Sequence, residues 1–546
     1  MSKLNNKIGR LAAGLSNRRT FLTSVAAVAA LGPMNAHSQI ARPRILSVGS
    51  TTEPNSFDPQ FQYFGPNRQA HLPIFEPLTT FGPALELLPS LAVSWRAVDP
   101  TVWELRLRPG VLFQDGSAFS AEDVVFSLAR APTVPNSPSS MGVYTQAISK
   151  VVAVDALTLR IETKETAPLL MYDLANVPIL SKKISLGATT ASFDAGIGIV
   201  GTGPYRFVRW QKGVGIEYEA FAGHWGGRPA WDQVKVRLLA DGAERVKSLL
   251  AHEVQLIDQV PPSQIQTLRS VPGVKLFETP SNFLLYLHMD QFRETSPYIT
   301  DRAGRPIRNP LLDARVRRAL SMAIDRSAIT KTVLSGSAIP ANQFLPSTFP
   351  GTIANLPATP FDPRVARELL TAAGYPDGFK LVIHGTRNRY ANDVEVLQAI
   401  AKNLDQIGIE AQAISLPSNE FFARASGGKN GEPEFSVIQT GWASIEPSGA
   451  LKGLMATSDK NSGAGSSNRG RYSNPKVDGL LKQALATVDD AKRGEVLQAA
   501  TRLAISEDQG IIPLYFPTNT WAATRGVKFA ARVDSSTLPM DAIAER

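Results

Sequence analysis

Cysteine is absent from all 546 residues. That excludes disulfides, thiolate metal centres and a lipid-modified cysteine anchor. A chain of this length has ample apolar material to rely on its core instead. Histidine is scarce. The six are scattered without metal-ligand spacing, and His252-Glu253 fails as the start of H-E-x-x-H because Leu256 stands at the second histidine position. No G-x-S-x-G occurs, and Gly427-Gly428-Lys429 lacks both the upstream glycine and the following Ser/Thr of a P-loop. Gly196 to Gly201 does fit G-x-G-x-x-G, but Thr202-Gly203-Pro204 follows where a helix would have to begin. It reads as a flexible approach to a turn. The chain therefore carries no motif for nucleotide, zinc or serine-nucleophile chemistry, and no cofactor or metal is implied.

Long apolar runs are missing too. Thr20 to Leu31 is apolar but falls short of the roughly 20 residues needed to span a hydrocarbon core. It follows Lys3, Lys7, Arg10, Arg18 and Arg19 with no acid among them, and precedes Ala36-His37-Ser38. This is the pattern of an export leader over residues 1–38. The Arg18-Arg19 pair directly before the run resembles a twin-arginine signal, with an ordinary secretory leader as the alternative. The expected compartment is the periplasm, with the mature chain free rather than lipid-anchored. The formal charge of +9 shrinks accordingly, because the leader holds five of the positive charges and leaves +4 on the remainder. No Lys/Arg block interleaves with aromatics there, so nucleic acid is not an expected partner.

What is present begins with Leu88 to Arg130. Val102 to Arg108 alternates apolar and polar residues with the period of a half-buried strand. Pro109-Gly110 and Asp115-Gly116 are turns, and Ser120 with Asp123 three residues on is a capping-box pattern opening a helix. Further strands are expected at Ile45 to Ser50, Ala153 to Glu162 and Gly215 to Phe221. From Asp313 onward helical spacing takes over: Val316, Ala319, Leu320 and Ala323, then Ala366, Leu369, Leu370 and Ala373 stopped by Gly374. Val394 to Ile407 reads as a helix running into a strand, Ile409 to Leu416. Helices are expected at Lys476–Thr487 and Lys492–Asp508, with a final β-like run over Ile511 to Phe516 and Thr520 to Phe529. Ser458 to Gly470 is polar and small, a surface loop. The order is β-rich, then α/β.

The string Pro89, Leu91, Ala92, Trp95, Leu107, Arg108, Gly110, Phe113, Asp115, Gly116, Phe119, Ala121, Asp123, Val124, Ser127, Leu128, Arg130 resembles the signature of the family-5 extracellular solute-binding proteins, the peptide- and nickel-type receptors of ABC importers. Gly201 to Phe207 (GTGPYRF), Asp313 to Leu320 with Ala323 to Arg326, and Phe361 to Leu370 with Ala373 to Pro376 are similar to three further blocks of that family, in its order. The resemblance implies an α/β, two-lobed periplasmic binding protein of class II, cluster C type. Lobe one would comprise 39–83, 201–281 and 512–546, with an inserted domain at 84–200, and lobe two would be 282–511. Chain crossings near Asn282 and Pro513 would form a hinge that closes on the solute.

Site residues follow on the same terms. Gly441-Trp442 would line the pocket. Arg387 stands where peptide-type relatives hold an arginine for the ligand carboxylate, a task suited to the bidentate guanidinium fork. Arg389 and Tyr390 share its strand-to-helix loop, where ligands bind in open α/β sheets. Thr52, Asn282 and Tyr286 are further candidates. Peptide-type members place an Asp three residues beyond the tryptophan, but here that position is Ile445, with Glu446 next. The resemblance thus implies a monomeric, non-catalytic receptor that passes a peptide-like or other carboxylate-bearing solute to an inner-membrane ABC permease. A sugar, opine or nickel-chelate receptor is the nearest alternative, and an exported hydrolase acting on peptides or glycans is the rival class.

Overall fold

The computed structural model describes residues 43–428 and 430–545; the expected leader over 1–38 lies outside them. One sheet runs through both lobes. Its lobe-one half orders Tyr205–Gln211, Gly215–Ala220, Gln233–Leu238, Ile45–Ser50 and Leu256–Ile257 side by side. Its lobe-two half orders Ile511–Thr524, Phe283–Met289, Val437–Ala443, Lys380–Arg387 and Ile299–Thr300, with Glu410–Pro417 also paired to Lys380–Arg387. The link is the strand Ile511–Thr524. Its first half pairs with Phe283–Met289 and Ala338–Pro340, and its second half pairs with Val274–Pro280 and Leu256–Ile257.

Two expectations shift here. Thr520 to Phe529 is not a separate run, because Thr520–Thr524 continues the strand from Ile511 and only Val527–Phe529 is distinct. The change of pairing partner falls between Pro517, opposite Ala338, and Thr518, opposite Pro280, beyond the crossing expected near Pro513. There the two crossings are stitched together. Ser281 N–H donates to the Pro517 carbonyl at 2.8 Å, and Thr518 N–H donates to the Ser337 carbonyl at 2.8 Å.

The segment Leu88 to Arg130 folds as its pattern demands, giving strands Ala92–Asp99 and Val102–Leu107 and helix Ala121–Arg130. Ser120 N–H donates to Asp123 Oδ2 at 2.9 Å, the returning half of the capping box. The expected single strand over Ala153 to Glu162 is instead a hairpin, Ile148–Asp155 and Thr158–Thr163. Asp155 turns the chain by accepting the Leu157 N–H at 2.8 Å. These four strands form their own sheet, and its core (Trp103, Leu105, Phe113, Val124, Leu159, Ile161) is distinct from those of the lobes.

In lobe two, helices cover both sheet faces. Ala314–Ala323, Pro363–Ala372 and Asp393–Asp405 lie against Leu285, Leu287, Ile383 and Val437. Pro475–Leu485 and Asp490–Thr501 lie against Leu284, Tyr286 and Ile511 on the other side. The last helix is shorter than expected, because the chain from Arg502 to Glu507 widens into a π-turn. No helix among the described residues is long and apolar enough to cross a membrane.

Candidate functional site

The parallel strands Lys380–Arg387 and Val437–Ala443 end on the same edge of the lobe-two sheet, so Arg387 and Gly441-Trp442 come together at their carboxyl ends, the usual ligand position in an open α/β sheet. Arg387 is the last residue of its strand and is exposed. It has no hydrogen-bonding or ion-pair partner among the described residues.

The loop after it is built on Asp393. This carboxylate is 4 % exposed and accepts Thr386 Oγ1 at 2.9 Å and the N–H groups of Asn388, Arg389 and Tyr390 at 3.1–3.3 Å. Four donors on one carboxylate hold a loop whose Asn388 and Asn392 both take left-handed backbone angles (φ 63° and 50°), a region asparagine tolerates better than most residues. Tyr390 packs against Phe283 with ring centroids 5.8 Å apart. Phe283 in turn lies over Gly441, where any side chain would collide with its ring. The glycine of the Gly-Trp pair is thus a steric requirement of the lobe crossing.

Arg389 is exposed. Its Nε donates to Tyr390 Oη at 3.2 Å, and its guanidinium lies 5.0 Å from the centroid of Phe422. Arg469 approaches the same ring at 5.5 Å and donates through Nε to Ser426 Oγ at 3.1 Å. Neither Phe422 nor Arg469 carries a spacing signal in the sequence. Arg469 sits in the polar stretch read as surface loop, and Phe422 is one of two adjacent phenylalanines on the helix Ser418–Ser426. Asp393 and Phe283 were likewise not singled out, although an acid in the first turn of the helix Asp393–Asp405 is a recognisable N-terminal feature.

Trp442 is half-buried against the core of lobe two and donates from Nε1 to Ser444 Oγ at 3.0 Å. Asn282 spans the crossing by donating from Nδ2 to the Ser444 carbonyl at 2.8 Å. Thr52 is exposed on the first loop of lobe one, and its carbonyl accepts Ser50 Oγ at 3.0 Å.

Two candidates are placed differently from the expectation. Tyr286 is completely buried among Leu454, Met455 and Phe516, because its position on Phe283–Met289 faces the helical layer rather than the edge. Its hydroxyl has no hydrogen-bond partner among the described residues, and burial raises its pKa. Glu446 is turned inward, where it accepts Ser448 Oγ and pairs with Arg493 at 3.3 Å, both side chains under 10 % exposed. Ile445 packs with Phe81, Leu85 and Tyr172 from the other side of the cleft and with Leu345 and Phe349 of its own lobe. No free carboxylate therefore stands at Ile445 or Glu446. No group of His, Asp or Glu suited to a metal ion occurs among the described residues.

Comparison with known proteins agrees with this architecture. The profile of the bacterial extracellular solute-binding proteins, family 5 middle region, matches residues 86–462. The glutathione-binding protein GsiB of Pectobacterium atrosepticum is 31 % identical over 457 residues, covering 83 % of this chain and 84 % of its own. Among solved structures, HbpA2 from Haemophilus parasuis superposes with a TM-score of 0.79 at 22 % identity, covering 92 % of this chain and all of that one. The periplasmic murein tripeptide binding protein MppA, in its unliganded open form, gives 0.77 at 23 % identity over 92 % and 98 %.

Proposed function

The chain belongs to the bacterial extracellular solute-binding proteins of family 5, and from that premise we propose that it is a periplasmic, monomeric, non-catalytic receptor that captures a peptide-like solute bearing a free carboxylate and hands it to an inner-membrane ABC permease. The observation that carries the ligand class is Arg387, an exposed guanidinium without a partner among the described residues, at the carboxyl end of the lobe-two sheet. A guanidinium at a ligand edge selects a carboxylate through paired, charge-assisted hydrogen bonds. The absence of a free acid at Ile445 and Glu446 argues against a site organised around the ammonium group of an ordinary peptide. The GsiB relatives make glutathione, whose amino terminus belongs to a γ-linked glutamate, the first compound to try.

The test is calorimetric titration of the mature protein with glutathione and a di- and tripeptide panel, alongside mass spectrometry of any solute retained on native purification. Arg387→Ala should weaken the bound carboxylate compound at least tenfold, as expected for loss of a charge-assisted hydrogen bond of about 1.5–3 kcal/mol. Unchanged affinity would remove the anchor. Recovery of the solute chemically cleaved would point to the hydrolase reading instead.

A further inference from the structure

Three arginines of lobe two have no carboxylate partner among the described residues: Arg387 and Arg389 at this edge, and Arg469, which reaches Phe422 from a backbone packed beside Met289 at the other end of Val437–Ala443. We propose that Arg389 and Arg469, both laid on Phe422, form a second anion-binding subsite beside Arg387, so that the natural solute carries at least two acidic groups. This rests on the carboxylate-bearing solute argued above and narrows it.

The geometry supports it in two ways. First, each guanidinium uses its Nε–H internally, on Tyr390 Oη for Arg389 and on Ser426 Oγ for Arg469, while its terminal nitrogens make no hydrogen bond within the described protein. A guanidinium stacked on an aromatic ring keeps those terminal N–H groups available at its edge, the arrangement suited to a bidentate acid. Second, the acids of this neighbourhood are already engaged. Asp393 holds the loop N–H groups, Glu446 holds Arg493, and Glu420 and Glu434 hold Arg424. Two like charges gathered around one ring repel unless an anion lies near them, and no acid among the described residues pairs with either arginine.

Two matched pairs of probes test the subsite: L-Ala-L-Glu against L-Ala-L-Gln, and glutathione against its glycyl monoethyl ester. Titrated into the mature protein, the diacid of a pair should bind at least tenfold more tightly than the monoacid. Arg389→Gln and Arg469→Gln should each cut that preference below threefold. Arg387→Ala should instead weaken diacid and monoacid alike. Melting temperatures within a degree of the parent will establish that the variants fold. If the preference for the diacid survives in both glutamine variants, or is absent from the parent, the second subsite is wrong while the single-carboxylate reading stands. If Arg387→Ala changes nothing, the underlying reading falls. Should none of the four probes bind, the solute retained on native purification decides. One acidic group in it overturns the second subsite alone, none overturns both, and two or more support the proposal.

Discussion

Glu446 and Ile445 show how little a side chain's identity says before its direction is known. On an extended segment neighbouring residues face opposite ways, so a carboxylate displaced by one position from the peptide pattern could in principle have served a ligand. Burial settles it: Glu446 is 6 % exposed and paired with Arg493. Removing one member of a buried pair leaves the other charge desolvated, a loss of about 3 kcal/mol. Glu446→Ala should therefore lower the melting temperature by about 3 °C, given the unfolding entropy of a chain this long, while leaving the selectivity between free and acetylated peptide amino termini untouched. Differential scanning calorimetry and titration with an acetylated peptide check the two halves of that statement. Tyr286 teaches the same lesson from the apolar side. Its place at the lobe crossing was expected, but the face it presents depends on which helices cover the strand Phe283–Met289, and those lie about two hundred residues later in the chain.

Among the elements, the loop between Lys380–Arg387 and Asp393–Asp405 owes its shape to a single acid. Asp393→Ala would leave Thr386 Oγ1 and three backbone N–H groups without their common acceptor. A cost of about 1–3 kcal/mol is expected for buried donors left unsatisfied. The loop amides of 388–390 should exchange with deuterium markedly faster in that variant, and the carboxylate probes should bind more weakly because Arg387 and Arg389 lose their placement. Unaltered exchange would show that the loop is held by other means. Elements with a strong local signature were legible in the sequence, including the capped helix after Ser120, the helix after Asp313, whose Oδ1 accepts the Arg315 N–H at 2.8 Å, and the stop at Gly374 with φ 94°. Those whose limits depend on distant pairing were not. Val437–Ala443 continues as a strand through the polar Gln439-Thr440-Gly441 because Phe283–Met289 pairs with it throughout, from Phe283 opposite Ala443 to Met289 opposite Val437. The basic, aromatic group of Arg389, Phe422 and Arg469 was invisible for the same reason, since it joins three segments with no common spacing.

At the level of the whole molecule, one carboxyl of the inserted domain that faces a charge of lobe two titrates near neutrality. Asp173 lies on its short helix Leu170–Leu174, and burial raises its pKa to about 7 against the opposing charge of Lys452 in lobe two. Between about pH 4 and pH 7 the folded protein then holds a proton that the unfolded chain has released. The associated stability is present in full below pH 4 and is lost as pH climbs through 7. Asp173→Asn should melt like the parent at pH 4.5 but higher at pH 8, by an amount on the order of 1 kcal/mol once partial exposure is allowed for. Parallel melting curves at the two pH values would rule this out. The strand Ile511–Thr524 has a different consequence. It belongs to both lobes, and at its change of partner stands Pro517, which has no N–H to give to either ladder. A ribbon that is continuous covalently yet missing one rung at that point behaves like a torsion bar with a thinned section. Twist applied by the two halves would concentrate around Pro517 and Thr518, in a strand where Pro513 likewise has no N–H to give.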